Sequence, residues 1–167
     1  TAGRTTLAGE GLQHQDGHSL LHASTVPYCR AWDPAYAYEL AIIIRHGINE
    51  MWGQNKDEFH YIMLYNQNEQ QPPKPEGCEE GLIQGAYLLQ KPKEGKEPLV
   101  RLLGSGPILS HVIEAAEELQ NRGVRTEIWS VPSYGELRRS GLAAERLTRL
   151  NPQAPETAYV SDCFGDN

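Results

Sequence analysis

Residues 69–77 read Glu-Gln-Gln-Pro-Pro-Lys-Pro-Glu-Gly, and no other stretch limits the fold as strongly. Pro72, Pro73 and Pro75 have no backbone N–H and a fixed φ, so the segment fits neither a helix interior nor a central strand. It must be an extended connector, and it divides the chain into two halves.

In the first half, residues 1–25 hold four glycines and three histidines with little apolar periodicity, which reads as a long ordered loop of the kind that carries function. Residues 26–30 form a strand candidate, with Pro27 near its start. Asp33-Pro34 then opens a helix, Asp33 as N-cap and Pro34 in the first turn. Tyr38, Ala41, Ile42, Arg45 and Ile48 recur at helical spacing, and Gly53 is the stop signal. Residues 59–65 are aromatic and apolar at strand length.

The second half alternates. Strands are expected at 86–90, 99–103 and 126–131. Gly104-Ser105-Gly106 leads from the second of these into a helix over 107–121, whose core face is Ile108, Val112, Ala115, Ala116 and Leu119. Strand, helix, strand over about thirty residues is the signature of a right-handed βαβ unit in a parallel sheet. Ser133 caps a short helix over 134–140. The fold class is therefore α/β, doubly wound in style.

The chain has 167 residues, 22 of them acidic against 15 basic, for a net charge of −7. That balance, without a basic stripe, argues against nucleic acid and anionic membrane as partners. The apolar runs are too short to span a bilayer; the one from Leu40 to Ile44 stops at Arg45-His46. Cys29, Cys78 and Cys163 are odd in number and lack CxxC spacing, so reduced thiols in a cytoplasmic protein are expected. The chain opens in a Gly/Thr-rich stretch without Met and stops at Phe164-Gly165-Asp166-Asn167 without a closing helix. It is expected to be an internal piece of something longer.

Two constellations bear on chemistry. Glu10-Gly11-Leu12-Gln13-His14-Gln15-Asp16-Gly17-His18-Ser19, with His22 beyond, sets imidazoles in a glycine-flanked loop. His14 as an acid–base group, tuned by Glu10 or Asp16, is one reading. A metal site of His14, His18 and His22 is a second, weakened by Gly17 and by the absence of HExxH. Solvated loop histidines are the third, and the pattern alone leaves all three open. Gly104-Ser105-Gly106 followed by Glu127 imitates a dinucleotide fingerprint, but Leu109 replaces the third glycine and Glu127 lies inside its strand, so a tight strand-to-helix turn is the preferred reading.

The run from Thr1 through Gly3-Arg4-Thr5-Thr6-Leu7 to Gly17-His18-Ser19 resembles the homodimeric pyruvate dehydrogenase decarboxylating component, a relative of transketolase. Asp33-Pro34-Ala35-Tyr36-Ala37-Tyr38-Glu39, Pro75-Glu76-Gly77 with Glu79-Glu80-Gly81, and Leu102-Leu103-Gly104-Ser105-Gly106 are similar to the same family, with the match fading after about Leu150. The resemblance implies a three-layer αβα architecture with mostly parallel sheets of transketolase type, in two partial domains. Residues 1–70 would close the aminopyrimidine-binding domain, 71–78 would link, and 79–167 would begin the C-terminal-type domain. It also implies thiamine diphosphate and Mg²⁺ as cofactors of the whole enzyme, although the GDG-to-NN motif that holds them is absent from this sequence. The implied partners are pyruvate, the lipoyl domain of the acyltransferase component and a second copy of the chain. His14 and Glu10 are the implied catalytic residues; Asp16 and His18 are implied to organise the loop or stand near substrate, and no metal ligand is implied. The sequence departs from the family at Gln15, which removes a charge beside His14, and at Leu20. The alternative is a non-catalytic transketolase-like binding or assembly module, contacting a ligand through residues 104–106.

Overall fold

A computed structural model describes residues 13, 16–65, 68 and 70–165. Helix α1 (Ser19–Ser24) leads to strand β1 (Cys29–Trp32), helix α2 (Ala37–Ile48), a π-helical turn over Asn49–Gly53, and strand β2 (Phe59–Ile62). β1 and β2 pair in parallel, Cys29 opposite Phe59 and Trp32 opposite Ile62. After the proline segment come α3 (Glu79–Gln84), β3 (Tyr87–Gln90), β4 (Leu99–Gly104), α4 (Ile108–Asn121), β5 (Arg125–Ser130), α5 (Tyr134–Leu150) and α6 (Tyr159–Phe164). β4 and β5 pair in parallel from Leu99–Arg125 to Gly104–Ser130, with α4 as the connection between them. β3 joins the other side of β5 antiparallel, making the sheet mixed, in the order β3-β5-β4.

Several expected boundaries move, each for a local reason. The first strand starts at Cys29 because residues 26–28 turn, with Val26 N bonded to Ala23 O and Cys29 N to Val26 O. Helix α2 starts at Ala37 with Tyr36 as N-cap, so Asp33 is not its cap. Glu39 takes that role: its Oε2 accepts from Ala35 N at 2.5 Å and Tyr36 N at 3.4 Å. Gln71, from the proline segment, adds a bond to Ala37 N at 2.9 Å. The expected loop contains α1, and α5 runs ten residues past Ser140 because Leu137 and Ala144 keep a buried stripe going. In α4 the buried positions are Leu109 and Ala116, while Ile108 is 43% exposed, so the core face is rotated from the expected one. The crowding that sets this rotation is at Gly104, where a Cβ would sit 2.9 Å from Leu109 Cα.

The halves share their interior. Trp32, Ile42 and Ile43 pack with Cys78, Leu82 and Tyr87 in one cluster, and Ala35 and Tyr36 pack on the cluster of Leu109, Ala116 and Ile128. Glu39 lies in that seam with none of its surface exposed. Tyr87 and Ser130 each donate a hydroxyl to Glu39 Oε1 at 2.6 Å, and Tyr38 bonds Tyr87 at the same distance. A buried carboxylate must be matched by donors, and this one has four.

Burial pushes the Glu39 carboxyl above its ordinary value of 4.5, and the bonds from Ser130, Tyr87, Ala35 and Tyr36 offset that only in part. The folded state therefore holds the proton more tightly than the unfolded state. This contribution to stability is full below the unfolded value and declines as pH rises through the folded one. Glu39→Gln removes the titration and turns an NH₂ toward donor groups, at a cost of about 1–3 kcal/mol. Urea unfolding across pH should show a weaker stability below the unfolded value and a flatter slope above it. A slope the substitution leaves unchanged would show that Glu39 does not titrate there.

Candidate active-site loop and the crevice beside it

Of the four site residues expected from sequence, Glu10 and His14 lie outside the described residues, as does Gln15. Asp16 sits just before α1. Its Oδ1 accepts from the backbone N–H of His18 at 3.2 Å and of Ser19 at 3.0 Å. Its Oδ2 accepts from the Tyr61 hydroxyl of β2 at 3.2 Å. Burial alone would raise the Asp16 carboxyl, but the bonds from Ser19, Tyr61 and His18 outweigh it and hold the group below its ordinary range. His18 is exposed at the N-cap of α1, its ring centroid 6.3 Å from that of His22.

Beside this loop a crevice of about 310 Å³ opens at the carboxyl ends of β1, β4 and β5. Crevices at the carboxyl ends of strands are where open α/β sheets present side chains to ligands. Leu20 and Leu21 of α1 form one lip, Cys29 and Ala31 of β1 part of the wall, and Ser133 with Tyr134, Gly135, Glu136, Arg138 and Arg139 of α5 the other side. The α5 side is fixed by charge: Arg30 bridges Glu58 at 3.1 Å and Glu136 at 2.8 Å, and Arg139 donates to the carbonyls of Pro27 and Cys29.

Asp33 is the keystone of the crevice floor. Its backbone N–H donates to Pro132 O at 2.8 Å and its carbonyl accepts from Gly106 N at 3.0 Å. Its carboxylate accepts from Ser105 Oγ at 3.1 Å and from the Tyr65 hydroxyl. Residues 104–106 are thus turned inward onto Asp33. Glu127 is likewise engaged, with Trp129 Nε1 at 2.7 Å and Arg101 at 3.0 Å. A nucleotide phosphate would find the Gly106 N–H and the Ser105 hydroxyl already bonded, which fits the tight-turn reading of this motif.

His46, Glu50 and Glu58 are the one group among the described residues whose ligand atoms approach within 4.8 Å of one another. Lys56 pairs with Glu50, and Arg30 with Glu58, so the carboxylates are already neutralised by cations. Trp32 Nε1 donates to His60 Nδ1 at 2.9 Å, which leaves His60 Nε2 to carry the proton toward Glu58 Oε1 at 3.3 Å. The arrangement is an ion-pair network. Sequence reasoning missed it, and missed Tyr61 and the inward role of Asp33. Parallel pairing of β1 with β2 is what brings these groups together.

The comparisons agree over nearly the whole chain. Residues 1–72 match the model of the pyruvate dehydrogenase E1 component middle domain, and residues 85–167 that of the transketolase-like C-terminal domain. The chain is 56% identical over 167 residues to the pyruvate dehydrogenase E1 component of Pseudomonas aeruginosa, covering 99% of this chain and 19% of that one. It is 46% identical over 169 residues to the component of the same name from Escherichia coli K12, again covering 99% and 19%. The chain thus spans about a fifth of the length of these relatives. Among solved structures, transketolase from Campylobacter jejuni superposes with TM-score 0.64 at 25% identity, over 87% of this chain and 22% of that one. A transketolase mutant from Pichia stipitis gives 0.65 at 20% identity, covering 91% and 21%, a likeness of fold alone.

Gly106 has φ +52°, and a Cβ there would collide with the Asp33 carboxylate and the Tyr65 hydroxyl, whereas Gly77 has φ +71° with open space around it. Gly106→Ala should cost about 2–4 kcal/mol, left-handed strain plus overpacking. Gly77→Ala should cost only the strain, about 1–2 kcal/mol. Urea midpoints compare them, and equal losses would mean that Asp33 does not crowd Gly106. On the match of residues 1–72 to the E1 middle domain and on 56% identity along the chain to an E1 component, the chain belongs to the pyruvate dehydrogenase E1 component family, with the α/β fold of the transketolases.

Proposed function

We propose that these residues form part of a thiamine-diphosphate-dependent, decarboxylating pyruvate dehydrogenase component. Identity of 56% along the whole chain to a protein of that name carries the reading. In the complete protein, pyruvate would lose carbon dioxide and its acetyl unit would pass to a lipoyl group of the acyltransferase component, in a dimer of like chains. The residues described here do not fit the role of Mg²⁺ and diphosphate ligands. The crevice floor uses its carboxylate and hydroxyl on itself, and the sequence lacks the GDG-to-NN motif. What this segment contributes is the loop. His14 is assigned to stabilise charge and move a proton at the substrate, with Glu10 tuning the imidazole. Asp16 and His18 order the chain beside it. The alternative of a binding module working through residues 104–106 is disfavoured, because those groups are engaged with Asp33.

In the full-length protein, His14→Ala should lower kcat by roughly 10²-fold or more, with a much smaller change in KM for pyruvate. Glu10→Ala should be intermediate and His18→Ala mild, with melting temperatures close to the parent. Normal turnover in His14→Ala together with loss in His18→Ala would move the assignment. The isolated 167-residue chain should show no thiamine diphosphate affinity by calorimetry. Tight stoichiometric binding to it would contradict the placement of the cofactor ligands elsewhere.

A further inference from the structure

We propose that His46 and His60 form a proton-sensitive joint between the end of α2 and strand β2, closed while both imidazoles are neutral and opened as they become charged. The arrangement starts at Trp32, which is 1% exposed and packs with Ile42, Ile43, Cys78, Leu82 and Tyr87. Its Nε1–H donates to His60 Nδ1 at 2.9 Å, and the two rings lie within 6° of parallel. An indole N–H can only donate, so His60 Nδ1 is the acceptor and the ring proton sits on Nε2, toward Glu58 Oε1 at 3.3 Å. A second proton on the ring therefore sets two N–H groups against each other at hydrogen-bond distance. Turning the ring over does not help, because a charged imidazole presents an N–H from either nitrogen.

The ring has no room to step aside while the joint is closed. The His60 side chain is only 6% exposed. A Cβ on Gly47 would lie 3.0 Å from His60 Nε2, so the backbone of α2 passes close over the imidazole. His46, one residue earlier, sets its ring edge-on to His60, with centroids 6.1 Å apart and planes at 74°. Charge on both rings adds repulsion across that contact. The other charged groups facing the pair are Arg30 of β1, Glu50 of the π-helical turn with its partner Lys56, and Glu58 just before β2. Glu58 is already held by Arg30 at 3.1 Å, and Glu50 by Lys56. Burial holds the His46 imidazole below its ordinary value of 6.5; Glu50 and Glu58 pull it up, His60 and Lys56 push it down, and the lowering prevails. The fold therefore favours neutral His46, and this contribution to stability is full above the unfolded value and declines as pH falls below it. The relief is local: the last turn of α2 and the π-helical turn, exposed at Ile48, Asn49 and residues 51–53, part from β2 while Trp32 stays in the core. Because Arg30 joins Glu58 to Glu136, the same event slackens the brace on the α5 side of the crevice.

The test is hydrogen exchange of the full-length protein at about pH 7.5 and about pH 5.5, corrected for intrinsic rates, with His60→Gln and His46→Gln alongside the parent. Glutamine at position 60 accepts from Trp32 through its amide oxygen and donates to Glu58 through its NH₂, so it keeps both bonds and removes the titration. In the parent, amides over 44–62 should lose protection roughly tenfold at the lower pH while those of α4 keep theirs. His60→Gln should change less than about twofold over the same step, and His46→Gln should show an intermediate loss. Unchanged protection over 44–62 in the parent would overturn the proposal. An equal loss in α4 would overturn it as well, since that marks global acid unfolding, and so would a parent-sized loss in His60→Gln. Where His60→Gln does not fold, the parent and His46→Gln decide: equal losses in the two remove His46 from the joint and the proposal with it.

Discussion

The buried carboxylate of Glu39 ties this structure together, because it is bonded at once to its own helix and to the opposite half of the chain. One oxygen accepts from Ala35 and Tyr36 at the start of α2, and the other from Tyr87 in β3 and Ser130 at the end of β5. The apolar side chains around it would tolerate some sliding of one half past the other, since hydrophobic contact is not directional. Four hydrogen bonds to one enclosed group do not tolerate it, because any shift leaves buried donors without an acceptor. Glu39 thus converts a shared core into a defined register, while burial holds its own carboxyl above the ordinary range.

That register places the carboxyl ends of β1, β4 and β5 side by side. Asp33 then closes the gap by bonding backward to Pro132 and forward to Ser105 and Gly106. Its side chain and main chain are both engaged, so the crevice floor is a fixed surface. The Arg30 bridges to Glu58 and Glu136 brace the same junction from the side. These ion pairs are partly shielded from water, where charge pairing is worth more than at an open surface.

How much of this could be read from the chain follows from how local each cause is. Helix α2, the βαβ path from β4 through α4 to β5, and the proline connector rest on spacing and on residues adjacent in sequence, and all three are where the pattern put them within a few residues. Asp33 misled because Asp-Pro before a helical stripe is a genuine N-cap signal. The competing partners, Tyr65 and Ser105, lie 32 and 72 residues away. The rotation of α4 likewise comes from the close approach of Gly104 to Leu109, which periodicity cannot register. α1 was hidden because six residues are too few to show a period. Of the candidate site, the motif made His14 and Glu10 visible, and Asp16 stood out as a loop acid. Tyr61 carried no signal, since it reads as one more aromatic of a strand.

The two polar anchors differ in how deeply each is set into the fold. Glu39 is enclosed, bonded four ways and set among large apolar side chains, so disturbing it disturbs the seam itself. Asp16 is only half-buried, and its partners are the Tyr61 hydroxyl of β2, the Ser19 side chain and the N–H groups of His18 and Ser19. The cluster under it consists of Ala23, Cys29 and Ala31, small side chains with little area to lose. Losing the Asp16 contacts should therefore cost less stability than losing those of Glu39, and it should leave the crevice floor in shape.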